Sequence, residues 1–271
     1  KQKKKKEQPN FKGPIRLFWG LFLTGIVIVA LIFGSAALGL FGPMPPLQQL
    51  ENPKTNLATQ IISADGEILG KFFYNDNRTP INFDELPEHL VQALVATEDE
   101  RFYSHSGIDF RGTFRAIAYL GRRGGASTIT QQLARQLFVG VRSRNKVQAI
   151  TQKIKEWVLA VMLERRYTKQ EIIAMYLNIY DFGYQADGIQ SAAKIYFNKT
   201  PMTLSREESA TLVGMLKNSS LFNPKRRPEM TRKRRNVVFQ QMYRNEFISE
   251  EEKDSLQQLP LNLQFTPDSH S

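Results

Sequence analysis

A chain of 271 residues with 41% hydrophobic side chains has room for one sizeable domain and an appendage, and is too polar to be a polytopic membrane protein. Its net charge of +11 points to anionic lipid head groups, phosphates or nucleic acid as partners. With no cysteine it has no disulfide framework, no thiolate metal site and no thiol nucleophile.

Seven cations (Lys1, Lys3, Lys4, Lys5, Lys6, Lys12 and Arg16) precede an uncharged run of 25 residues, Leu17 to Phe41. Such a run crosses a bilayer with some tilt. The lysines ahead of it place the N-terminus in the cytoplasm and everything from Gly42 onward outside. Ser35-Ala36-Ala37 would suit a signal peptidase, but the run is too long for a signal-peptide core, so we expect an uncleaved anchor in the cytoplasmic membrane. Residues 1–16 therefore read as a cytoplasmic basic tail, 17–41 as a transmembrane anchor and 42–57, opening on Gly42-Pro43-Met44-Pro45-Pro46, as a stiff linker. A β-hairpin is predicted over residues 58–73, with an Asp65-Gly66 turn between β-prone runs. After Pro87 helical periodicity takes over, with no internal repeat.

The first helix carries Leu90, Val91, Leu94 and Val95 on one stripe, and the same period places Glu98 and Phe102 there. A carboxylate on an apolar stripe is either a helix-end residue reaching solvent or a buried group whose raised pKa suits acid–base chemistry. Ile108 to Leu120 is apolar and aromatic and on its residues alone reads as core. Gly124-Gly125-Ala126-Ser127-Thr128-Ile129-Thr130-Gln131-Gln132-Leu133-Ala134-Arg135 marks a helix start, with Thr128 and Gln131 at capping-box spacing. N–H groups exposed behind glycines suit an anion. A basic loop, Gly140 to Lys146, leads to a helix with Val147, Ile150, Ile154, Trp157, Val158 and Val161 on one stripe. Glu156 lies off that stripe with Gln152 and Lys153 before it, which alone reads as a solvent-facing pair worth about 0.3–0.5 kcal/mol. Further helices open at Thr168/Glu171, Ser205/Glu208 and Ser249/Glu252. The cations Lys225, Arg226, Arg227, Arg232, Lys233, Arg234 and Arg235 read as a solvated face, or one resting on anionic head groups. Ser191-Ala192-Ala193-Lys194 has the spacing of a penicillin-binding transpeptidase motif but no companion motifs, and is chance.

Together these segments resemble glycosyltransferase family 51, the peptidoglycan glycosyltransferases found as domains of class A penicillin-binding proteins or as monofunctional enzymes. Glu-Asp-x-x-Phe-x-x-His-x-Gly at Glu98–Gly107 looks like its first signature, and the Ser127–Arg135 string is nearly its second letter for letter. Lys153 and Glu156 match the third, Ile172 to Asn178 the fourth, and Lys217 to Pro224 the fifth. Three positions depart from the pattern: Gln136 for Asn, Gln152 for Arg and Ala174 for Glu.

The resemblance implies a mainly α, two-lobed, lysozyme-like glycosyltransferase fold over residues 58–248 with a small β-hairpin, followed by a helix and tail over 249–271. For Ile108 to Leu120 it implies a surface dipping into the bilayer. The implied reaction is polymerisation of lipid II into glycan strands, with inversion at the anomeric carbon and release of polyprenyl pyrophosphate. Glu98 would deprotonate the acceptor 4-hydroxyl, and Glu156 would assist at the pyrophosphate by holding a divalent cation (Mg²⁺ or Mn²⁺) or a cationic neighbour. Arg135 and Lys153 are candidate phosphate contacts. Ser127, Thr128, Gln131 and Gln132 would line the cleft, Asp99, Phe102 and His105 would set the geometry around Glu98, and Asn178 and Lys217 are candidate substrate contacts. Partners implied are lipid II, the nascent glycan strand, the membrane and a transpeptidase domain or other cell-wall synthesis proteins, but no nucleic acid. The missing initiator Met and loose tail suggest a piece of a bifunctional enzyme. Two further readings stand beside this one: a lipid II-binding module without turnover, which Gln152 and Ala174 would favour, and a muramidase built on the same two carboxylates.

Overall fold

The structure, a computed structural model, describes residues 12–37, 39, 59–62, 68–72, 79–119, 125 and 127–267. Helix α1 spans Lys12–Ala37, so it begins before the uncharged run and ends short of Phe41. Lys12–Ser35 is long and apolar enough to cross a membrane, with a mean hydropathy of 2.5 and none of that window buried against the rest of the chain. Strands β1 (Thr59–Ile62) and β2 (Ile68–Phe72) pair antiparallel, with a register irregularity at Ile61/Ile62. The basic residues 1–6, the linker and the Asp65-Gly66 turn lie outside the described residues.

The rest is helical, as expected. In chain order come α2 (Glu88–Glu98), α3 (Phe110–Ala118), α4 (Ile129–Ala134), α5 (Lys146–Glu164), α6 (Lys169–Ile179), α7 (Gly188–Phe197), α8 (Arg206–Met215), α9 (Pro228–Arg244) and α10 (Glu250–Gln258). They sort into two packed groups: α2, α8 and α9 contact one another with α10 against α9, and α4, α5, α6 and α7 form the second set. One apolar core runs through both, from Leu90 and Leu94 of α2 through Leu212 and Phe239 to Leu133, Leu159 and Ile173. Full capping boxes start α6 (Thr168 with Glu171) and α8 (Ser205 with Glu208), each satisfying two otherwise unpaired backbone N–H groups. At Ser249 only the hydroxyl half forms, accepting from the Glu252 N–H.

The segment around α3 divides between its two readings. Ile108 is buried in the domain, whereas Phe110 and Phe114 are 60% and 72% exposed. A core segment would not present two phenylalanines one turn apart to the outside, and α3 shares a cavity with Phe33 near the end of α1.

The cation run on α9 is not the solvated face the sequence suggested. Arg232 and Lys233 are exposed, but Arg235 is 0% exposed. Its guanidinium donates to the carbonyls of Pro260 (2.9 Å), Leu259 (2.7 Å) and Gln257 (3.3 Å), satisfying the C-terminal end of α10. Only a forked, always-charged donor meets three carbonyls at once. We expect Arg235→Leu to lower the stability of the detergent-solubilised chain by about 2–3 kcal/mol, since buried carbonyls are left unpaired. Denaturant unfolding checks this, and an unchanged midpoint would contradict the capping role.

Candidate active site

Glu98 is the last residue of α2, and the next residue explains why the helix stops there. The Asp99 carboxylate is buried, accepts the Ile129 N–H at 3.1 Å and meets His105 Nε2 at 3.0 Å with both oxygens. His105 Nδ1 accepts the Gly107 N–H at 3.2 Å, so the ring proton sits on Nε2 and is donated to Asp99. Gly107 has φ +88°, and a Cβ there would lie 2.8 Å from the Ala160 carbonyl carbon, so only glycine allows the loop this close to α5. Phe102 is wholly buried beneath the loop. Asp99, Phe102 and His105 thus build the seat under Glu98; the Phe102 and His105 rings are committed to packing and to Asp99.

Helix α4 presents the facing wall. Thr128 is its N-cap: Oγ1 accepts the Gln131 N–H at 3.1 Å and donates to the Gly107 carbonyl at 2.8 Å. The predicted capping box forms by halves, because the Gln131 side chain does not turn back to the cap. Its Nε2 donates to the Gly107 carbonyl (3.1 Å) and its Oε1 accepts from Lys153 (2.9 Å). Gln132, the next residue, points to the other carboxylate, its Nε2 donating to Glu98 Oε2 at 3.0 Å. Consecutive glutamines therefore reach the two candidate carboxylates, one directly and one through a lysine.

That lysine spends all three N–H bonds inside the protein: on Ser127 Oγ (2.8 Å), Gln131 Oε1 (2.9 Å) and Glu156 Oε2 (2.9 Å). Glu156 is 4% exposed, so the solvent-facing pair read from the sequence is in fact an inward one. Burial pulls the Lys153 pKa below the ordinary lysine value of 10.5; Glu156 opposes this, while the like charges of Arg135 and Arg142 add to it. Glu98, Ser127 and Thr128 line one side of a polar cleft of about 290 Å³, with Gln241, Arg244 and Asn245 at the end of α9 on another.

The sequence profile of the transglycosylase family matches residues 65–243. The chain belongs to that family. Penicillin-binding protein 1A of Escherichia coli K12 is 36% identical over 252 residues, covering 90% of this chain and 29% of that protein. Penicillin-binding protein 1A of Haemophilus influenzae is 39% identical over 206 residues (74% and 23%), and penicillin-binding protein 2a of Streptococcus pneumoniae 32% over 258 residues (93% and 34%). The chain thus spans about a quarter to a third of these relatives. A crystal structure of the Haemophilus influenzae protein aligns with a TM-score of 0.46 and 24% identity over 80% of this chain and 22% of that one, a likeness too low to carry weight.

Within this transglycosylase domain, the residue that motif reading missed is Arg234. Its guanidinium stands 3.6 Å from Glu98 Oε1, while its Nε donates to the Gly214 carbonyl at 3.3 Å. It was hidden inside a run of cations, and only its position on the inward face of α9 separates it from Arg232 and Lys233. Two tyrosines, Tyr176 of α6 and Tyr180 just past its end, also sense Glu98. Burial and then the Glu98 charge push the Tyr180 phenol up to about 12 and the Tyr176 phenol well above its usual value.

The remaining sequence candidates fall elsewhere. Asn178 is engaged with the backbone of Ile81, accepting its N–H at 3.2 Å and donating to its carbonyl at 2.8 Å, so it pins the chain entering the domain. Lys217 is exposed just beyond α8. Arg135 begins a π-helical turn, Arg135–Val139, after α4, and no hydrogen bond or ion pair holds its side chain among the described residues. Gln152 clamps the basic loop: Oε1 accepts the Ser143 N–H at 2.8 Å and Nε2 donates to the Val141 carbonyl at 3.1 Å. That places Arg142, between them in sequence, beside Lys153 on a shared cavity of about 240 Å³. Ala174 is buried within α6, where a carboxylate would need a partner.

Glu156 Oε2 is paired with the Lys153 ammonium, and among the described residues no three His, Asp or Glu side chains converge to hold a metal.

Thr128→Ala removes the hydroxyl that caps α4 and grips the Gly107 carbonyl. We expect a stability loss of about 1–2 kcal/mol in denaturant unfolding; no loss would show that Asp99 alone holds the helix start.

Proposed function

We propose that this domain is a membrane-anchored peptidoglycan glycosyltransferase that polymerises lipid II, with Glu98 as general base. The observation that supports this best is the pairing, across one short helix, of a carboxylate facing the cleft with a buried cationic centre. Glu98 Oε2 is held by Gln132, while Oε1 has only the longer approach of Arg234. That oxygen takes the proton as the acceptor 4-hydroxyl oxygen attacks the anomeric carbon of the donor strand. The bond to the pyrophosphate breaks with its electron pair leaving on the phosphate oxygen, and the configuration inverts.

The departing charge needs cations already in place, because preformed charge costs no reorganisation at the moment of reaction. Lys153, Arg135 and Arg142 supply it. Lys153 is saturated, so an incoming phosphate must displace one of its partners, and Ser127, at the cleft wall, is the one that opens onto the substrate. Glu156 keeps the ammonium charged and oriented rather than meeting the anion itself. A muramidase would have no use for this cluster of cations.

The anchor reading follows the same logic. Helix α1 would cross the cytoplasmic membrane with its N-terminus inside, and the exposed Phe110 and Phe114 would rest at the outer leaflet, where a lipid-linked substrate is presented. The relatives are named penicillin-binding proteins and are about three times as long as this chain. A transpeptidase domain and other cell-wall synthesis proteins are accordingly the partners we propose for this domain.

The detergent-solubilised protein should convert labelled lipid II to polymer, and Glu98→Gln should reduce the rate at least about 100-fold. Lipid II binding without polymer from the parent would make this a binding module instead. Because Lys153 loses its proton below the ordinary lysine value, we expect the alkaline limb of the polymerisation profile to fall below pH 10.5, and Lys153→Arg to remove that limb. An identical limb in Lys153→Arg would exclude the ammonium as its source.

A further inference from the structure

Tyr176 lies wholly buried in α6, yet it is one residue away from the cleft through a hydrogen-bonded amide. We propose that Tyr176 is a positioning residue that locks the Gln132 carboxamide in the one orientation able to hold Glu98. The inference rests on Glu98 being the general base.

The orientation follows from which groups can donate. An ionised carboxylate only accepts, so the Gln132 end that meets Glu98 Oε2 at 3.0 Å must be the NH₂. That turns Oε1 toward Tyr176, whose hydroxyl lies 2.9 Å away and must donate. The phenol is suited to that duty. Burial first and the Glu98 charge second hold its proton on well beyond the usual tyrosine range.

A carboxamide is nearly symmetric in shape, so packing alone does not choose between its two orientations. Turned over, it would aim the Oε1 lone pairs at the carboxylate and repel it. The Tyr176 proton acts with that repulsion, because a flipped amide would leave the phenol oxygen only able to accept from the NH₂ group and would take away the acceptor of its own buried proton. The consequence for Glu98 is positional: with Oε2 tethered, Oε1 is left toward the cleft and Arg234 at 3.6 Å. Without the lock the carboxylate swings between rotamers and spends less time in line with the attacking hydroxyl.

The test is Tyr176→Phe, which keeps the ring and removes only the hydroxyl, alongside Gln132→Ala and the double variant, all in the full chain with labelled lipid II. We expect Tyr176→Phe to lower kcat by about 10- to 100-fold, with KM for lipid II within about twofold of the parent. The double variant should be no slower than Gln132→Ala alone, because the tyrosine acts through that amide. A kcat within twofold of the parent overturns the proposal, as does a double variant whose losses multiply. A KM that rises in step with the fall in kcat also overturns it, pointing to general loosening of the site. A second readout does not depend on turnover. With ¹⁵N-glutamine labelling, the NH₂ pair assigned to Gln132 by its absence in Gln132→Ala should shift in both Glu98→Gln and Tyr176→Phe. No shift in Tyr176→Phe overturns the lock even if the enzyme is active. A shift in both variants, with no polymer from the parent, shows that the base reading failed and not the hydrogen-bond chain; the positioning role falls with it.

Discussion

The buried carboxylate of Asp99 is the constraint on which the site depends. It accepts the first free N–H of α4 and the His105 Nε2 proton together, joining the end of one helix to the start of another. The unpaired N–H groups and positive end of α4 make it a natural partner for a negative charge. Asp99 follows Glu98 in the chain, so anchoring it fixes where Glu98 stands. It also sets the rotation of α4, and hence which way Gln131 and Gln132 project. If α4 turned by one residue, Glu98 would lose its amide and Lys153 would lose Gln131.

The second half of the site is built around one ammonium. Lys153 gathers Ser127, Gln131 and Glu156 at the cost of its own hydration, and the buried Glu156 offsets that cost. This gives an ammonium whose three N–H bonds are all satisfied within the protein. Arg135 and Arg142 add charge without adding bonds to this centre. Gln152 clamps the backbone of Val141 and Ser143 and so holds the loop that carries Arg142.

These two halves belong to two different sets of packed helices. Glu98 and Arg234 come from the α2–α8–α9 group, Lys153 and Glu156 from the α4–α7 group, and Gln131 and Gln132 link them. The apolar core is continuous through both sets. Stability and site geometry are therefore coupled.

Much of this was legible in the sequence. An uncharged run of 25 residues can only be satisfied by a continuous helix in an apolar medium, so α1 follows from composition alone. Capping boxes are local chemistry, and those at Thr168 and Ser205 formed as written. Glu98 stood out because a charge on an apolar stripe conflicts with its neighbours. Tertiary structure decided which side chains in similar local settings turn inward. Arg232, Lys233, Arg234 and Arg235 are consecutive cations on one helix, yet two meet solvent, one faces Glu98 and one caps α10, because α8 and α10 pack against only part of the α9 surface. Glu156 read as a surface residue because the apolar stripe of its helix predicts burial on the face of Val147 and Ile150. Yet those two are 72% and 62% exposed, and the face packed against α4 is the one that carries Glu156, Leu159 and Leu163. Asn178, a candidate substrate contact by resemblance, holds the backbone of a residue 97 positions earlier. Helical period defines the faces of a helix; which of them is buried depends on segments distant in the chain.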